Sequence, residues 1–544
     1  MTESVSTIAA PPQNFAHRMV EVLLIVAIFF VVAGDPPPHV NESHYLCRLK
    51  HYWDPTWCVG DLFLESADTQ IVLIWLLGWM TKWLSLPATA WIGRVAAWAM
   101  LAWAWQQLSW RVVSVRWASI LSAALFVTLN AWGHLAGEWI VGGIEAKCFA
   151  YGFVLFALGA LIDDRWNWTC VLLGAATAFH PLVGGWSAIV CGAIWLVGQE
   201  DRSMRARSQE QGAKSPALDS VLVASRSNGP VPFLGIVCGL LLGLIGLLPA
   251  LSLSWNEPAD MVAEASRIYV FERLPHHLAP LELPRDELQR RLAGHAVLIV
   301  ALAALGMALR HHTLFRLLQF AWGAVVLAII GFIVEFALIN EPHLAARILK
   351  YYWFRLTDFA VPMAVALGVT AFLCIAILHR RAWASWAFVA TLVFVFWQLG
   401  VTTRERLHNP VPPADRRMTD YPAWLDVCDW ISKNTSAHTL FLTPRLNHSF
   451  KWRTGRPEVV NRKDIPQDTR GILEWDRRIK DIFYYEDVGG IKGPIDSLSQ
   501  LEVDRVRELA KKYGADMVLA DRGQLLSLPR AYWNEEYVVY RVGD

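Results

Sequence analysis

The segment after the first apolar run is crowded with acids. It reads AGDPPPHVNESHYLCRLKHYWDPTWCVGDLFLESAD and carries Asp35, Glu42, Asp54, Asp61, Glu65 and Asp68. Carboxylates held beside an apolar surface can act as a general base or bind a metal. The plainer reading is a solvated loop. Its aromatics argue against solvation alone, since Tyr45, Tyr52, Trp53 and Trp57 need the membrane interface or a sugar ring to pack on. Glu42 stands out, between Asn41 and His44.

A second cluster, NAWGHLAGEWIVGGIEAKCFAYG, sets Glu138, Glu145 and Lys147 just before another apolar run. Charges at that depth pair or face a cavity. Glu145 and Lys147 are too close in sequence to share a helix face, so separate partners are expected. His180, in AFHPLVGGW, ends a run and precedes Pro181, which breaks or kinks the helix. SRIYVFERLPHHLAP offers Arg267, Arg273, His276 and His277. Arginine suits bidentate phosphate recognition, whereas adjacent histidines on an extended loop point apart. In LKYYWFRLTDFAVP, Arg355 and Asp358 lie three apart on one helical face. They either neutralise each other or leave the arginine free for a lipid-linked phosphate. No HExxH, phosphate loop, dinucleotide fingerprint or serine elbow is present in a credible context.

These residues are strung between apolar runs. Of 544 residues, 55% are hydrophobic and only 18% charged, against about 25% charged in an ordinary soluble chain. The first run, Met19–Gly34, reads as an uncleaved span. Further runs lie near 70–86, 88–108, 117–133, 147–163, 167–181, 183–198, 232–252, 293–310, 315–337, 353–378 and 383–400. The 70–86 run contains Lys82 and stops at Pro87, so it is expected to lie on the membrane surface. That leaves about 11 spans over 1–400, a mainly α polytopic membrane protein; 12 spans is the alternative. Arg111, Arg116, Arg165, Arg310, Arg380 and Arg381, and the hydrophilic loop 199–231, then fall on one side, which the positive-inside rule makes cytoplasmic. The first loop 35–86 and the segments 134–146, 253–292 and 338–352 share the outer face.

Residues 401–544 read as a small outer α/β domain that docks or covers. Helices are expected over Trp424–Lys433 and Leu498–Tyr513, the latter ending at Gly514. Strands are expected at Thr439–Thr443, Glu458–Val460, Asp516–Ala520 and Tyr537–Val542. Cys47 and Cys58 share the first loop and would pair if it faces an oxidising compartment. Cys148, Cys170, Cys191, Cys238 and Cys374 suit small core positions. With 49 Lys+Arg against 48 Asp+Glu, nothing points to nucleic acid.

This arrangement resembles the GT-C superfamily of membrane glycosyltransferases, in which a first span is followed by a large outer loop bearing an acid. Here that acid matches Glu42 in HVNESHYL, with Asp35 second, and 70–86 matches a surface helix of the loop. GGIEAKCFAYG, AFHPLVGGW, RLPHHLAP, WFRLTDFAVP and WISKNTSAHTLFLTP also look like a functionally uncharacterised family of bacterial multi-span proteins near that superfamily. The resemblance implies a bacterial cytoplasmic membrane, with the N-terminus inside and the C-terminal domain outside. It implies transfer of a sugar from a polyprenyl-phosphate donor to a glycan, lipid or protein acceptor. Glu42 would be the base, assisted by Asp35, Glu138 or His180, and Arg355 with Arg267 or Arg273 would hold the phosphate. Asp358, His276, His277, Glu145 and Lys147 complete the candidate substrate site, and a Mg or Mn ion would be the cofactor, if any. A transporter or lipid-handling protein, and a non-catalytic membrane scaffold, are the alternatives.

Overall fold

A computed structural model describes residues 14–210, 231–309, 312–487, 490–492 and 494–542. Among them, long helices form the membrane part. They are α1 (Phe15–Ala33), α4 (Leu86–Val112), α5 (Ala118–Gly133), α6 (Ala146–Ile162), α7 (Trp166–Phe179), α8 (Pro181–Glu210), α9 (Phe233–Ser252), α12 (Arg285–Ala308), α13 (His312–Ala337), α15 (Arg355–Leu378) and α16 (Ala382–His408). Between them lie the shorter α2 (Glu42–Trp53), α3 (Ile71–Leu77), α10 (Ala259–Arg267), α11 (Pro275–Leu278) and α14 (Pro342–Leu349). Seven of the long helices are apolar and long enough to cross a bilayer: α1, α8, α9, α12, α13, α15 and α16. The 70–86 run divides into α3 and a short helical turn over Gly78–Lys82, well below the ~20 residues that span a membrane.

The helix ends fall into two sets. At one end, Asn41 bonds Glu145, His277 bonds Ala136, and Trp186 bonds the Tyr351 carbonyl. At the other, Trp117 bonds Glu21, Arg111 bonds Asp163 and Arg316 bonds Asp164. Close packing is bought with glycine where α7 meets α9. A Cβ at Gly239 would strike the Cys170 carbonyl, and one at Gly174 the Gly239 carbonyl. Such small-residue contacts let helices associate where water supplies no hydrophobic push.

Three expectations need correction here. Residues 199–210 continue α8 as helix; the rest of the 199–231 loop to 230, and Arg310, lie outside the described residues. The soluble boundary at 401 falls inside α16, which runs on to His408. Cys47 and Cys58 are both free thiols, buried among apolar side chains where the first loop packs.

After α16 come α17 (Tyr421–Asn434), α18 (Phe450–Thr454), α19 (Thr469–Phe483) and α20 (Val503–Tyr513). Strands β1 (Phe441–Leu442), β4 (Met517–Asp521), β5 (Arg530–Trp533) and β6 (Tyr537–Arg541) form one sheet in the order β1-β4-β6-β5. β1 runs parallel to β4 and the other pairs are antiparallel, while β2 (Tyr485–Asp487) and β3 (Gly490–Lys492) form a separate hairpin. Alternation along β4 explains the layering. Met517 and Leu519 pack with Trp424 and Ile431 of α17, while Val518 and Ala520 pack with Trp475, Ile479 and Leu509 of α19 and α20. Gly514 ends α20 in the left-handed conformation, as the sequence requires. The strand expected at Glu458–Val460 is one isolated bridge, Phe441 to Glu458. Helical structure over Leu498–Tyr513 is interrupted, a short turn at Leu498–Gln500 preceding α20. Ala265 and Ile268 join the core of this domain, fixing it to the membrane part.

Candidate functional site

The candidate residues converge on the helix ends beneath the C-terminal domain. Glu138, in the loop between α5 and α6, accepts a hydrogen bond from the Tyr151 hydroxyl at 3.3 Å. Its other oxygen lies 3.2 Å from Arg355 Nε and 3.5 Å from Lys147 Nζ. Lys147 also pairs with Glu145 at 3.3 Å and sits 3.9 Å from the centre of the Trp139 ring. Glu145 and Lys147 thus have separate partners in Asn41 and Glu138, and against expectation they also pair with each other. Glu145 is the N-cap of α6 with extended backbone (φ −145°, ψ 157°), so helical spacing does not govern where its side chain points. Asn41 donates to Glu145 at 2.6 Å. Burial pushes the Glu145 carboxyl above its ordinary pKa, against the pull of Lys147 and Asn41.

Arg355 opens α15 and stacks over Tyr352, its guanidinium carbon 3.9 Å from the ring centre. It also lies 2.9 Å from His180 Nε2. His180 caps α7 before Pro181, and its Nδ1 accepts the Val183 amide at 3.3 Å. Arg355 and Asp358 do not neutralise each other. Asp358 is fully buried and accepts the amides of Leu135, Ala136 and Glu138 at 2.5, 2.9 and 3.1 Å. It shapes the Glu138 loop and has little left to offer a substrate.

The first-loop acids are engaged elsewhere. Glu42 has no exposed surface. Its oxygens accept Arg94 Nε and Nη2 at 2.6 and 2.5 Å, and the Ile144 and His39 amides at 2.9 and 2.7 Å. Burial alone would raise its carboxyl, yet Arg94 and these amides hold it below the ordinary value. A carboxylate with both oxygens occupied and a depressed pKa is a poor base. Asp35 pairs with Arg416 at 2.6 Å and Arg406 at 3.6 Å, tying the end of α1 to the link into the C-terminal domain. Asp61 pairs with Lys451 and Asp68 with Arg48. Among the described residues, no group of three or more His, Cys, Asp or Glu is placed to hold a metal ion.

Arg267 pairs with Glu264 and Glu272, both at 2.7 Å, away from the Glu138 network. Arg273 instead reaches the Lys463 carbonyl at 3.1 Å. His276 and His277 stand in the short helix α11 with ring centres 4.1 Å apart, not splayed on an extended loop. His277 bonds the Ala136 carbonyl.

Sequence reasoning missed Arg94, Asn41, Tyr151 and Lys463. Arg94 carried a readable signal, a charge inside the apolar run 88–108. Lys463 carried none, because its Nζ bonds Asn41 Oδ1 across 422 residues. A cavity of about 230 Å³, lined by Val32, Phe126, Asn130, His134 and Trp139, reaches Glu138 from the side of α1 and α5.

A family profile described as a domain of unknown function (DUF6798) matches residues 422–482. No curated protein matches. Among solved structures, the oligosaccharyltransferase of Archaeoglobus fulgidus, in complex with zinc and sulfate, is 11% identical with a TM-score of 0.43, covering 93% of this chain and 68% of that one. The same organism's AglB, with an inhibitory peptide and a dolichol-phosphate, is 10% identical with a TM-score of 0.40, covering 93% and 69%. ArnT from Cupriavidus metallidurans, bound to undecaprenyl phosphate, is 13% identical with a TM-score of 0.45, covering 97% of both chains.

Proposed function

We propose that this chain is a GT-C-type membrane glycosyltransferase, moving a sugar from a polyprenyl-phosphate donor to an acceptor hydroxyl at the outer membrane face. The observation that carries the reading is the buried network Lys147–Glu138–Arg355–His180, built at the starts of α6, α8 and α15. Buried charges are costly and concentrate at functional sites. Two cations at helix N-termini also suit an incoming phosphate.

The network is balanced while empty, Lys147 and Arg355 facing Glu138 and Glu145. A phosphate entering it takes the cations from their carboxylates, and a carboxylate that loses its cation becomes a stronger base. Glu145, already raised by burial, is the base we assign. The acceptor oxygen bonds to the anomeric carbon and its proton passes to Glu145. The carbon–phosphate-oxygen bond breaks, and its electron pair leaves on the phosphate, where Arg355 and Lys147 stabilise the charge. In the empty network each carboxylate is held by a protein cation, and no step is assigned to a Mg or Mn ion.

In this reading α4, α5, α6 and α7 also cross the bilayer, giving eleven spans. The C-terminal domain is outside, and the arginine-rich connections are at the cytoplasmic end.

Lipid mass spectrometry on the mildly extracted protein tests the proposal. A co-purifying polyprenyl phosphate or sugar conjugate, lost in Arg355→Ala, is the expected result. Bulk phospholipid alone in both proteins would overturn it.

A further inference from the structure

A second group of cations lies beside this network, where the C-terminal domain meets the membrane helices. Lys463 and Arg462 come from the loop before α19 and Arg417 from the turn before α17, with the neutral imidazole of His448 beside them from the turn before α18. Arg273 joins them from the end of the helical segment Ile268–Arg273. Lys463 reaches the inner network through Asn41, which bonds both its Nζ and Glu145.

What sets this group apart is the lack of counterions. Among the described residues, Lys463, Arg273, Arg462 and Arg417 pair with no carboxylate. Arg273 Nε and His448 Nε2 are buried without a hydrogen-bond partner. The neighbouring acids are committed elsewhere. Asp464 is held by Lys451 at 2.6 Å and His44 at 2.9 Å, Asp496 by Arg445, and Glu145 by Asn41 and Lys147. Buried donors normally find acceptors, and clustered like charges repel, so the arrangement is at its least stable when empty.

The titration of these groups agrees. Burial first, then repulsion from Arg273, brings Lys463 down to about 8. Burial and Arg462 bring Arg273 down to about 10. Burial and Lys463 bring His448 down to about 3.

We propose that Lys463, Arg462 and Arg273 form a second anion subsite, adjoining the Lys147–Arg355 site, that takes the second phosphate of a polyprenyl diphosphate-linked donor. The inference rests on the glycosyltransferase reading and names its donor class. A monophosphate seated between Lys147 and Arg355 leaves the outer cations uncompensated. A diphosphate carries a second phosphate to meet them, and guanidinium forks and an ammonium are the donors its oxygens require.

The test uses the purified full chain with two probes, a polyprenyl monophosphate and the corresponding polyprenyl diphosphate, and inorganic pyrophosphate as the headgroup without a lipid. The wild type is expected to bind the lipid diphosphate roughly tenfold more tightly than the monophosphate, as one or two added charge-assisted contacts allow. Arg462→Met and Lys463→Met should each shrink that preference several-fold, and Lys463→Arg should keep it. Arg462 makes no side-chain hydrogen bond or ion pair among the described residues, so its variant remains informative if Lys463→Met fails to fold.

Equal affinity for both lipids, with Arg355→Ala still weakening both, overturns the second subsite and leaves the glycosyltransferase reading standing. An undiminished preference in both methionine variants also overturns it. Pyrophosphate binding as tightly as the lipid diphosphate would overturn the lipid-donor assignment. Failure of both lipids to bind would overturn the underlying reading too.

Discussion

Lys463 gives the sharpest handle on the reasoning, because its charge should switch within an accessible pH range. Its surroundings oppose one another. Burial, Arg273 and Lys147 disfavour the ammonium, while Glu145 and Asp464 favour it, and the balance falls at about 8. An ordinary lysine titrates near ~10.4. Only the ammonium can hold a phosphate oxygen, so affinity must fall as pH rises past that value. About nine-tenths of the protein carries the charge at pH ~7 and about one-tenth at pH ~9, so affinity for a polyprenyl diphosphate should drop roughly tenfold between them. The lipid's own final ionisation, near ~6, is complete below this window.

Stability should move the other way. Between about 8 and ~10.4 the unfolded lysine binds more protons than the folded one, so the Lys463 contribution to stability rises with pH across that interval. Lost binding with undiminished melting temperature therefore cannot be unfolding. The assay is equilibrium binding of the lipid diphosphate at four or five pH values, with Lys463→Arg alongside, whose guanidinium does not titrate there. A wild-type profile flat to pH ~9.5, or an equal decline in Lys463→Arg, would refute the argument.

Other consequences are testable with single substitutions. Glu145→Gln should lower transfer by about 10²–10⁴-fold while donor binding persists, the range expected for loss of a general base; unchanged single-turnover rates would remove Glu145 from the mechanism. Arg94→Met strands the buried Glu42 carboxylate and should cost about 3–5 kcal/mol, and adding Glu42→Gln should recover part of it; additive losses in thermal unfolding would contradict the pairing. Lys451 holds Asp61, Glu458 and Asp464 at 3.2, 2.9 and 2.6 Å. Lys451→Met leaves three buried acids facing one another, so it should free the C-terminal domain to limited proteolysis between α16 and α17. Finally, a Cβ at Gly143 would stand 2.9 Å from Glu42 Oε1 and close against His39. Gly143→Ala should therefore destabilise by about 1–3 kcal/mol, and an unchanged melting temperature would show that the loop gives way.

Where hydrogen bonding is local, the sequence was readable. β4, β6, α17 and the Gly514 cap follow from alternation, periodicity and the one residue that enters the left-handed region without cost. β1 lies inside the strand expected at Thr439–Thr443, whereas the helix α19 was harder. β1 is two residues long and exists through its pairing with β4. α19 is amphipathic, but it begins in a polar stretch and its apolar stripe makes sense only against the sheet. Residue types at the site were equally visible: Glu138, Glu145, Lys147, Arg355 and His180 are exceptional because they interrupt apolar surroundings.

Roles were another matter. Glu42 looked like the base because it is an acid in the right loop; Arg94, 52 residues away, and two amides occupy both its oxygens. Asp358 looked like a partner for Arg355, yet three amides from the 134–138 loop claim it. Glu145 and Lys147 meet because a cap residue escapes helical spacing.

By itself, then, the sequence determined the apolar runs, the segments between them that hold charge, and a C-terminal domain of alternating helix and strand. Burial of apolar surface and local backbone bonding act along the chain, so they leave periodic marks that a reader can count. Only the tertiary structure decided which charges neutralise each other and which remain without a counterion. Electrostatic partnership depends on distance through space and on desolvation, and neither Lys463 beside Asn41 nor Arg94 beneath Glu42 leaves a mark in linear order.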